Sequence, residues 1–343
     1  RIDFSNDAKG ALLLEPTRLN SLLQSNQFDT TWAKASATIE SGKSGIGGSA
    51  NAWKLTTSNS FGYLVQTISV SGTKTFSIYA KSDTTDGIVL RLIGGSNPYV
   101  FWSLVDGSYL GSGGGADLID KKSTSIGNGW FRLDMTTTVD CTSVRVYSGD
   151  SAGNFAAGSI YIQYAQLEQG SYATSYIPNF GNSAGATRSA DDCNNGGNEQ
   201  VINSTEGVLY AEISALADDS TNRQITLKGA DASNRLVLKY DNQSNIIQSF
   251  NRVGGSESAF LSATVSDITN FNKVAIKYKL NNYALWINGV EVDTAVLGTT
   301  WAANTLTDLK FSDGGSDFYG KVKSVQVYTT ALSDAELQAL TTL

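Results

Sequence analysis

Tryptophan and tyrosine are the residues of this sequence whose chemistry is best suited to ligand recognition. Their flat rings stack on the apolar C–H faces of sugars, while amides, carboxylates and arginines nearby hydrogen-bond the sugar hydroxyls. Several of these rings stand in turn-like or Gly-rich surroundings, which are typical of exposed loops. The sequence therefore predicts a carbohydrate-binding surface built from Trp32, Tyr99, Trp102, Tyr109 and Trp301.

The competing interpretation for every large aromatic residue is core packing. Trp53 and Trp130 lie inside stretches that alternate in polarity, so we assign both to a core. Trp286 alternates with aliphatic residues in a hairpin strand, which favours a core or an interface. Trp301 follows that hairpin in the run GTTWAAN, which indicates a loop and a surface contact.

Acidic residues in polar loops supply the oxygen ligands that Ca²⁺ prefers. Asp218 with Asp219, and Asp313 with Asp317, are the candidate ligands for a structural Ca²⁺ ion. The pattern is not an EF-hand loop, and the alternative is that these are solvated turn residues. We expect no other cofactor.

Catalytic residues are harder to find. Histidine is absent, which excludes the Ser–His and Cys–His schemes and removes the commonest general base near neutral pH. Cleavage of a glycosidic bond would need two carboxylates at a fixed separation. The nearest match to the E-x-D-x-x-E strand motif of laminarinase-type hydrolases is Glu291-Val292-Asp293, where Val296 replaces the final Glu. We therefore predict that the protein is not an enzyme.

Charge and hydropathy exclude two classes of partner. The chain carries 25 Lys and Arg against 32 Asp and Glu, a formal charge of -7, and its basic residues form no run that could neutralise a phosphate backbone. We expect no nucleic acid partner. No apolar run approaches the ~18 residues that a membrane span requires, so we also expect no membrane insertion.

The elements that must position these residues are β-strands. Stretches rich in Val, Ile, Tyr, Phe and Thr alternate in polarity and are separated, about every ten residues, by Gly, Ser, Asn and Asp clusters. Phe76, Ile78 and Ala80, for example, share one face of a strand. The pattern predicts an all-β protein of two antiparallel β-sandwich (jelly-roll) domains in tandem, with a short C-terminal helix.

The domain boundary is predicted from a change in composition. Residues 179–204 are rich in Gly, Asn, Ser and Asp and lack periodicity. We assign residues 1–180 to a first sandwich with an N-terminal lead-in, 181–204 to a linker and 205–343 to a second sandwich. Within the second, Asn288-Gly289 predicts a hairpin turn, and Ser333 with Glu336 predicts a capping box that begins the helix.

Both halves resemble known modules of phage particles. The run NKVAIKYKLNNYALWINGVEVDT, followed by FYGKVKSVQVYTTALSDAELQAL, resembles the concanavalin A-like or laminin-G-like jelly rolls of phage tail and virion proteins over most of residues 205–343. The phrases GALLLEPTRLNSLLQSNQFDTTWAKASATIESG, KTFSIYAKS, GNGWFRLDM and YAQLEQGSYATSYIPN resemble the carbohydrate-binding-module-like jelly roll of such proteins over residues 1–180.

This resemblance implies a role on the virion surface. It suggests a tail or head fibre or adhesin that binds cell-surface or environmental polysaccharide, recognises a host and contacts other virion proteins. A homotrimer is expected, because fibres resembling this protein are commonly trimeric and linked weak sites gain affinity by avidity. Jelly-roll lectin modules that resemble these often hold a structural Ca²⁺ ion, which is the reason to keep the aspartate groups as candidate ligands. Two alternatives stay open: a purely architectural decoration protein that binds no sugar, and the accessory carbohydrate-binding part of a polysaccharide-degrading enzyme.

Overall fold

The computed structural model describes residues 1–4, 8–311 and 315–343. The chain forms two compact units. The central unit is Thr17–Ser189, and the terminal unit combines Arg1–Pro16 with Ala190–Leu343. Strands account for 52% of the residues and helices for 4%, and all sheets are antiparallel, which confirms the predicted fold class. The terminal unit begins with β1 (Ile2–Asp3) and β2 (Ala11–Leu14).

The central unit consists of two six-stranded sheets that face each other. The first has the order β11-β10-β9-β14-β7-β4, the second has the order β12-β13-β8-β15-β6-β5, and β16 pairs with β3 alone. Their bounds are β3 (Arg18–Asn20), β4 (Ala33–Ala35), β5 (Ala37–Lys43), β6 (Ala52–Thr57), β7 (Tyr63–Val70), β8 (Lys74–Ser82), β9 (Gly87–Ile93), β10 (Tyr99–Ser103), β11 (Tyr109–Gly113), β12 (Leu118–Gly127), β13 (Trp130–Thr137), β14 (Cys141–Gly149), β15 (Gly158–Gln169) and β16 (Ala186–Arg188), with short 3-10 turns at Ile46–Gly48 and Gly115–Asp117.

The core of the central unit fills the space between these sheets. Phe76, Ile78 and Ala80 of β8 are fully buried on one face, as the alternation predicts. Trp53 and Trp130 are also buried, in agreement with their assignment to a core. Burying such side chains stabilises the fold by about 1.5 to 3 kcal/mol each.

The terminal unit is a second sandwich. Its seven-stranded sheet has the order β1-β2-β26-β17-β22-β23-β24, and its five-stranded sheet has the order β21-β20-β19-β18-β25. The remaining bounds are β17 (Glu206–Ala215), β18 (Arg223–Lys228), β19 (Arg235–Tyr240), β20 (Ile246–Val253), β21 (Ser256–Thr264), β22 (Asn272–Lys279), β23 (Tyr283–Ile287), β24 (Val290–Ala295), β25 (Asp308–Lys310), β26 (Gly320–Tyr328) and the helix α1 (Asp334–Thr341).

The first 16 residues lie in a different unit from the one that the sequence predicts. β2 pairs with β26, with Leu12 opposite Val322, and Arg1 forms an ion pair with Asp191 at 2.8 Å. The apolar run of β2 needs a sheet edge to satisfy its backbone, and it finds that edge on a strand more than 300 residues later. Residue composition carries no signal for a pairing over that distance.

The predicted linker, 181–204, is likewise part of the two units. Ala186–Arg188 pairs with Arg18–Asn20 in the central unit, and Gly196 pairs with Leu309 in the terminal unit. Ile202 is fully buried in the terminal core. Polar composition predicted a linker or a long exposed connection here, but parts of this segment pair with strands of both units.

Two local predictions are confirmed at the C-terminal end. Asn288 and Gly289 both have positive φ and connect β23 to β24 as a tight hairpin. Ser333 caps α1: its hydroxyl accepts a bond from the Glu336 amide, and the Glu336 carboxylate accepts one from the Ser333 amide at 2.8 Å. Both features depend on residues that are adjacent in sequence, so local chemistry suffices to specify them.

Candidate functional site

The strongest candidate site is the outer face of the first sheet of the central unit. On β9, β10 and β14 every second side chain enters the core, and the intervening side chains point away from it. We call this surface the outer aromatic face. It comprises Tyr63, Val89, Arg91, Tyr99, Phe101, Arg145, Tyr147 and Phe155.

The register of the strands arranges this face in two rows. One row runs from Val65 of β7 through Arg145 and Arg91 to Tyr99 of β10. The adjacent row is Tyr63, Tyr147, Val89 and Phe101. The basic row therefore lies directly beside an apolar row across four neighbouring strands.

Aromatic contacts fix the apolar row. The Tyr63 and Tyr147 ring centroids are 5.0 Å apart, and the Phe155 ring packs edge-on against Phe101 at 4.9 Å. Phe155 also lies 5.1 Å from Tyr147, so Phe101 and Tyr147 are buried beneath it. Tyr63, Tyr99 and Phe155 are half-buried and present ring surface to solvent.

Tyr99 owes its position to a glycine on the next strand. A Cβ atom on Gly113 would lie 2.6 Å from Tyr99 Cε1, which is closer than real Cβ contacts. Because position 113 has no side chain, the Tyr99 ring lies over the backbone of the edge strand β11. The ring also contacts Phe101 edge-on, with centroids 5.6 Å apart. Tyr99 is thus held from two sides and is half-buried.

A short loop places Phe155 on the face. The Asp150 carboxylate accepts hydrogen bonds from the amides of Ala152, at 3.0 Å, and Asn154, at 2.8 Å. The hydrogen bond from the backbone of Asn154 is the main cause that holds the pKa of Asp150 below its usual value. Phe155 then forms a bridge to Gly149 at the end of β14. The carboxylate therefore shapes the turn that positions the ring.

The five predicted sugar-contacting residues separate into two groups. Tyr99 lies on the outer aromatic face, as described. Tyr109 is 49% exposed, but the Lys121 ammonium of the other sheet lies 4.6 Å from its ring centroid. Tyr109 is in register with Trp102, a core residue, so it belongs to the rim of the sandwich and not to the face.

The other three were wrong predictions for an exposed platform. Trp32 and Trp102 are 1% exposed in the central core, and Trp301 is 3% exposed in the terminal core. The Trp32 indole donates to the Gln24 carbonyl at 3.3 Å, and the Trp301 indole donates to the Arg252 carbonyl at 2.6 Å. A buried indole N–H needs such a partner, and turn-like local sequence does not indicate exposure when a loop folds inward.

Sequence reasoning overlooked most of the face, although a usable signal was present. Successive side chains of a strand alternate between faces, so Tyr99 and Trp102 cannot share one. Tyr99 and Phe101 do share one, as do Arg145 and Tyr147. Applying the period of two to the runs YVFW and VRVY would have selected these pairs; the contribution of Phe155 depends on a loop contact and has no such signal.

The predicted calcium ligands do not form a recognisable cluster. Asp219 pairs with Arg223 at 2.6 Å, Asp218 accepts a hydrogen bond from Ser244, and Asp317 accepts one from Tyr319 at 3.1 Å. Asp313 lies outside the described residues. In the part of the chain that the structure describes, no group of three or more acidic or Cys side chains is placed to hold a metal.

The hydrolase-like segment on β24 is structural in this fold. Asp293 accepts a hydrogen bond from the Ser262 amide at 2.9 Å and thereby ties the two sheets' edges together. Glu291 stands opposite Trp286 of β23. Glycosidic cleavage needs two carboxylates that face each other. The contacts of Asp293 and Glu291 are with Ser262 and Trp286, and not with a second acid.

A polar cleft of 570 Å³ lies at Arg18, Ser69, Gln169 and Thr187 in the central unit. Its arginine already has partners. Arg18 Nε is 3.9 Å from the Glu168 carboxylate, and its guanidinium carbon lies 5.2 Å from the Tyr172 ring centroid. The cleft arginine therefore has a carboxylate near it, which the arginines of the outer aromatic face lack among the described residues.

Both units are antiparallel β-sandwiches. Residues 200–338 match the family model of the concanavalin A-like lectin/glucanases superfamily, which confirms the predicted character of the C-terminal sandwich. No curated protein sequence matches the chain significantly. Among the described residues, none of the helices has the length and hydrophobicity to span a membrane.

Several solved structures show a distant likeness. Ruminococcus gnavus IT-sialidase CBM40 aligns with a TM-score of 0.36 and 17% identity, over 41% of this chain and 84% of that one. A heptameric SAP-like pentraxin from Limulus polyphemus gives 0.34 and 10%, over 42% and 72%. Domains LG4-5 of the mouse laminin alpha1 chain give 0.28 and 10%, over 94% and 95%.

Proposed function

We propose that this protein is a non-catalytic glycan-binding protein whose principal site is the outer aromatic face. The observation that carries the proposal is the pair of half-buried tyrosine rings, Tyr63 and Tyr99, that flank two arginines on an uncovered sheet. Rings of this kind stack on sugars, and guanidinium groups hydrogen-bond their oxygens. The match of residues 200–338 to a lectin and glucanase superfamily supports the same class of function.

The finer proposal is host recognition from the surface of a virion. It rests on the resemblance of both halves to modules of phage tail proteins, as trimeric fibres or adhesins that contact other virion proteins. A trimer would multiply a weak site through avidity. If this role is right, the polysaccharides bound should be those of bacterial surfaces.

A purely architectural role is the second candidate, and the edge strand β24 favours it. Val290 is 58% exposed, and Val296 and Leu297, which follow the strand, are 75% and 78% exposed. Exposed apolar residues along a sheet edge are suited to protein contacts. The structural Ca²⁺ ion predicted from the aspartates is retained as a proposal for the terminal unit.

The experiment is binding of the purified chain to a panel of bacterial-surface and other polysaccharides, with Ca²⁺ and with chelator. Wild type should bind at least one class saturably. A Tyr63→Ala, Tyr99→Ala double variant should bind about tenfold or more weakly, because each stacked ring contributes about 1 kcal/mol. Tyr109→Ala, which removes an exposed ring from the rim of the same sheet, is the matched control.

The outcomes separate the proposals. Loss of binding in the double variant alone supports the face, whereas loss in Tyr109→Ala would move the site to the rim. Binding confined to polysaccharides foreign to bacterial surfaces would overturn host recognition. Insensitivity of binding and of thermal stability to chelator would overturn the calcium proposal. No binding by a folded wild type would overturn the glycan-binding function and favour the architectural role.

A further inference from the structure

Two arginines oppose each other at the centre of the outer aromatic face. Arg145 of β14 is directly across from Arg91 of β9 in the antiparallel register. Like charges in directly opposed positions destabilise a sheet. The Arg145 guanidinium carbon lies 4.4 Å from the Tyr63 ring centroid, and that of Arg91 lies 5.8 Å from the Tyr99 centroid. Aromatic rings therefore position this pair, and nothing in these contacts neutralises it.

Several other arginines of the chain form ion pairs with carboxylates. Arg1 is 2.8 Å from Asp191, Arg132 is 3.1 Å from Asp134, and Arg223 is 2.6 Å from Asp219. Within the described residues, Arg91 and Arg145 form no ion pair. Arg145 makes one long hydrogen bond, from Nη1 to the Tyr147 hydroxyl at 3.4 Å.

The surrounding strands contain no acid that could supply a partner. The sequences of β7, β14, β9 and β10 are YLVQTISV, CTSVRVYSG, GIVLRLI and YVFWS, without Asp or Glu. The chain as a whole has more acidic than basic residues, 32 against 25. The outer aromatic face is therefore a locally basic, apolar surface on an acidic protein, which favours an anionic ligand.

The terminal unit contains a second pair of opposed arginines. Arg235 and Arg252 are also directly opposed on neighbouring strands, and both guanidinium groups lie near the Phe250 ring, at 5.5 and 5.9 Å. There, however, Glu257 of β21 stands directly opposite Arg252. An acidic residue therefore neighbours one arginine pair in the strand register, whereas the positions next to Arg91 and Arg145 in their row are Tyr99 and Val65.

Resting on the glycan-binding function proposed above, we infer that the outer aromatic face binds an acidic saccharide. Arg91 and Arg145 bind its carboxylate or sulfate oxygens through charge-assisted hydrogen bonds, which the guanidinium fork makes well. Tyr63 and Tyr99 stack on sugar rings to either side. Three strand spacings separate these tyrosines, about 14 Å, so the ligand is an oligosaccharide or a polysaccharide chain and not a single sugar.

The test compares acidic glycans with their neutral counterparts. Hyaluronan, polygalacturonate and polysialic acid are each measured beside their carboxyl-reduced or esterified forms, and dextran sulfate is measured beside dextran. Two double variants accompany the wild type: Arg91→Gln with Arg145→Gln, and the control Lys121→Gln with Lys122→Gln. The control removes the same charge from exposed positions of β12, in the other sheet. Circular dichroism and thermal unfolding establish that each variant is folded.

The expected result is binding to at least one acidic member, with a loss of about tenfold or more on neutralising that glycan and in the arginine variant. The lysine control should stay within about twofold, and salt should weaken binding. Comparing the carboxylated glycans with dextran sulfate identifies which anionic group is recognised. If wild type binds neutral glycans and neither neutralisation nor the arginine changes matter, the inference fails while the glycan-binding function stands. If wild type binds no glycan, both fail.

Discussion

The outer faces of the two sandwiches both carry a small apolar cluster, but different elements pack against each cluster. In the terminal unit, Val208, Tyr210 and Trp286 form an apolar cluster outside the main core, and Leu337 of α1 packs onto it. In the central unit, Val89, Phe101 and Tyr147 form the corresponding cluster, and the partly buried side chains of Tyr63, Tyr99, Leu110 and Phe155 pack against it without a helix. A helix covers the first cluster, and half-buried side chains surround the second, which is where we propose that a glycan binds.

The residues around each cluster explain this difference. The terminal cluster includes Ala275 and Ala284, whose small side chains let the helix approach the sheet. Lys277 then pairs with Asp334 of the helix at 2.9 Å. The central cluster has Arg91 and Arg145 at its edge, whose bulk and charge are incompatible with burial under a helix unless a carboxylate accompanies it. Side-chain size and charge, more than apolar content, decide whether a sheet face is core or site.

Truncating the inner side chain of β10 should have the largest effect on stability, and truncating an outer one should have a much smaller effect. Trp102→Ala removes a fully buried indole and should cost about 3 to 5 kcal/mol of unfolding free energy. Tyr99→Ala, three residues earlier on the opposite face, should cost about 1 kcal/mol or less and reduce glycan binding instead. Urea unfolding and glycan binding are measured for both variants. Equal stability losses would contradict the assignment of Tyr99 to an open face.

Weakening the packing of α1 should have the next largest effect on stability and should not change glycan binding. Leu337→Ala removes the helix residue that is fully buried on the terminal cluster, at a cost of about 2 to 3 kcal/mol. Urea unfolding measures the loss, and the exposed Leu343→Ala serves as control. Glycan binding should match wild type at temperatures where the variant is folded. A parallel loss of binding would mean that the terminal unit also carries the site.

Acid should weaken glycan binding through the Phe155 loop, and this is the smallest effect expected. The pKa of Asp150 is lowered in the folded protein by the backbone hydrogen bond from Asn154. The stabilisation is therefore complete above the ordinary pKa of about 3.8 and is lost as pH falls through the lowered value. Asp150→Ala should reproduce that loss at neutral pH, with binding about two- to fivefold weaker.

The measurement is glycan binding of wild type and Asp150→Ala between neutral pH and pH 3, using a neutral glycan where one binds. The variant should lack the part of the acid response that wild type shows below pH 4. Asp106→Ala is a suitable control, because Asp106 has a similarly lowered pKa from its bond to Ser108 but does not shape the Phe155 loop. If glycan binding depends on pH in the same way in all three proteins, Phe155 does not contribute to the site.

The sequence alone was enough for features that depend on neighbouring residues. The alternation of β8, the Asn288-Gly289 turn and the Ser333 cap are all present as predicted, because strand periodicity, positive φ and capping are local properties. The same periodicity, applied more strictly, separates Tyr99 from Trp102. The all-β class follows from many such local patterns in succession.

Tertiary structure decided what local patterns cannot express. Burial of Trp32 and Trp301 depends on loops that fold back onto a core, and the pairing of β2 with β26 joins opposite ends of the chain. The opposition of Arg91 and Arg145 is a matter of register between strands more than 50 residues apart. Whether a charge is neutralised, or an aromatic ring is accessible, is set by neighbours that only folding brings together, and the candidate site of this protein consists of such neighbours.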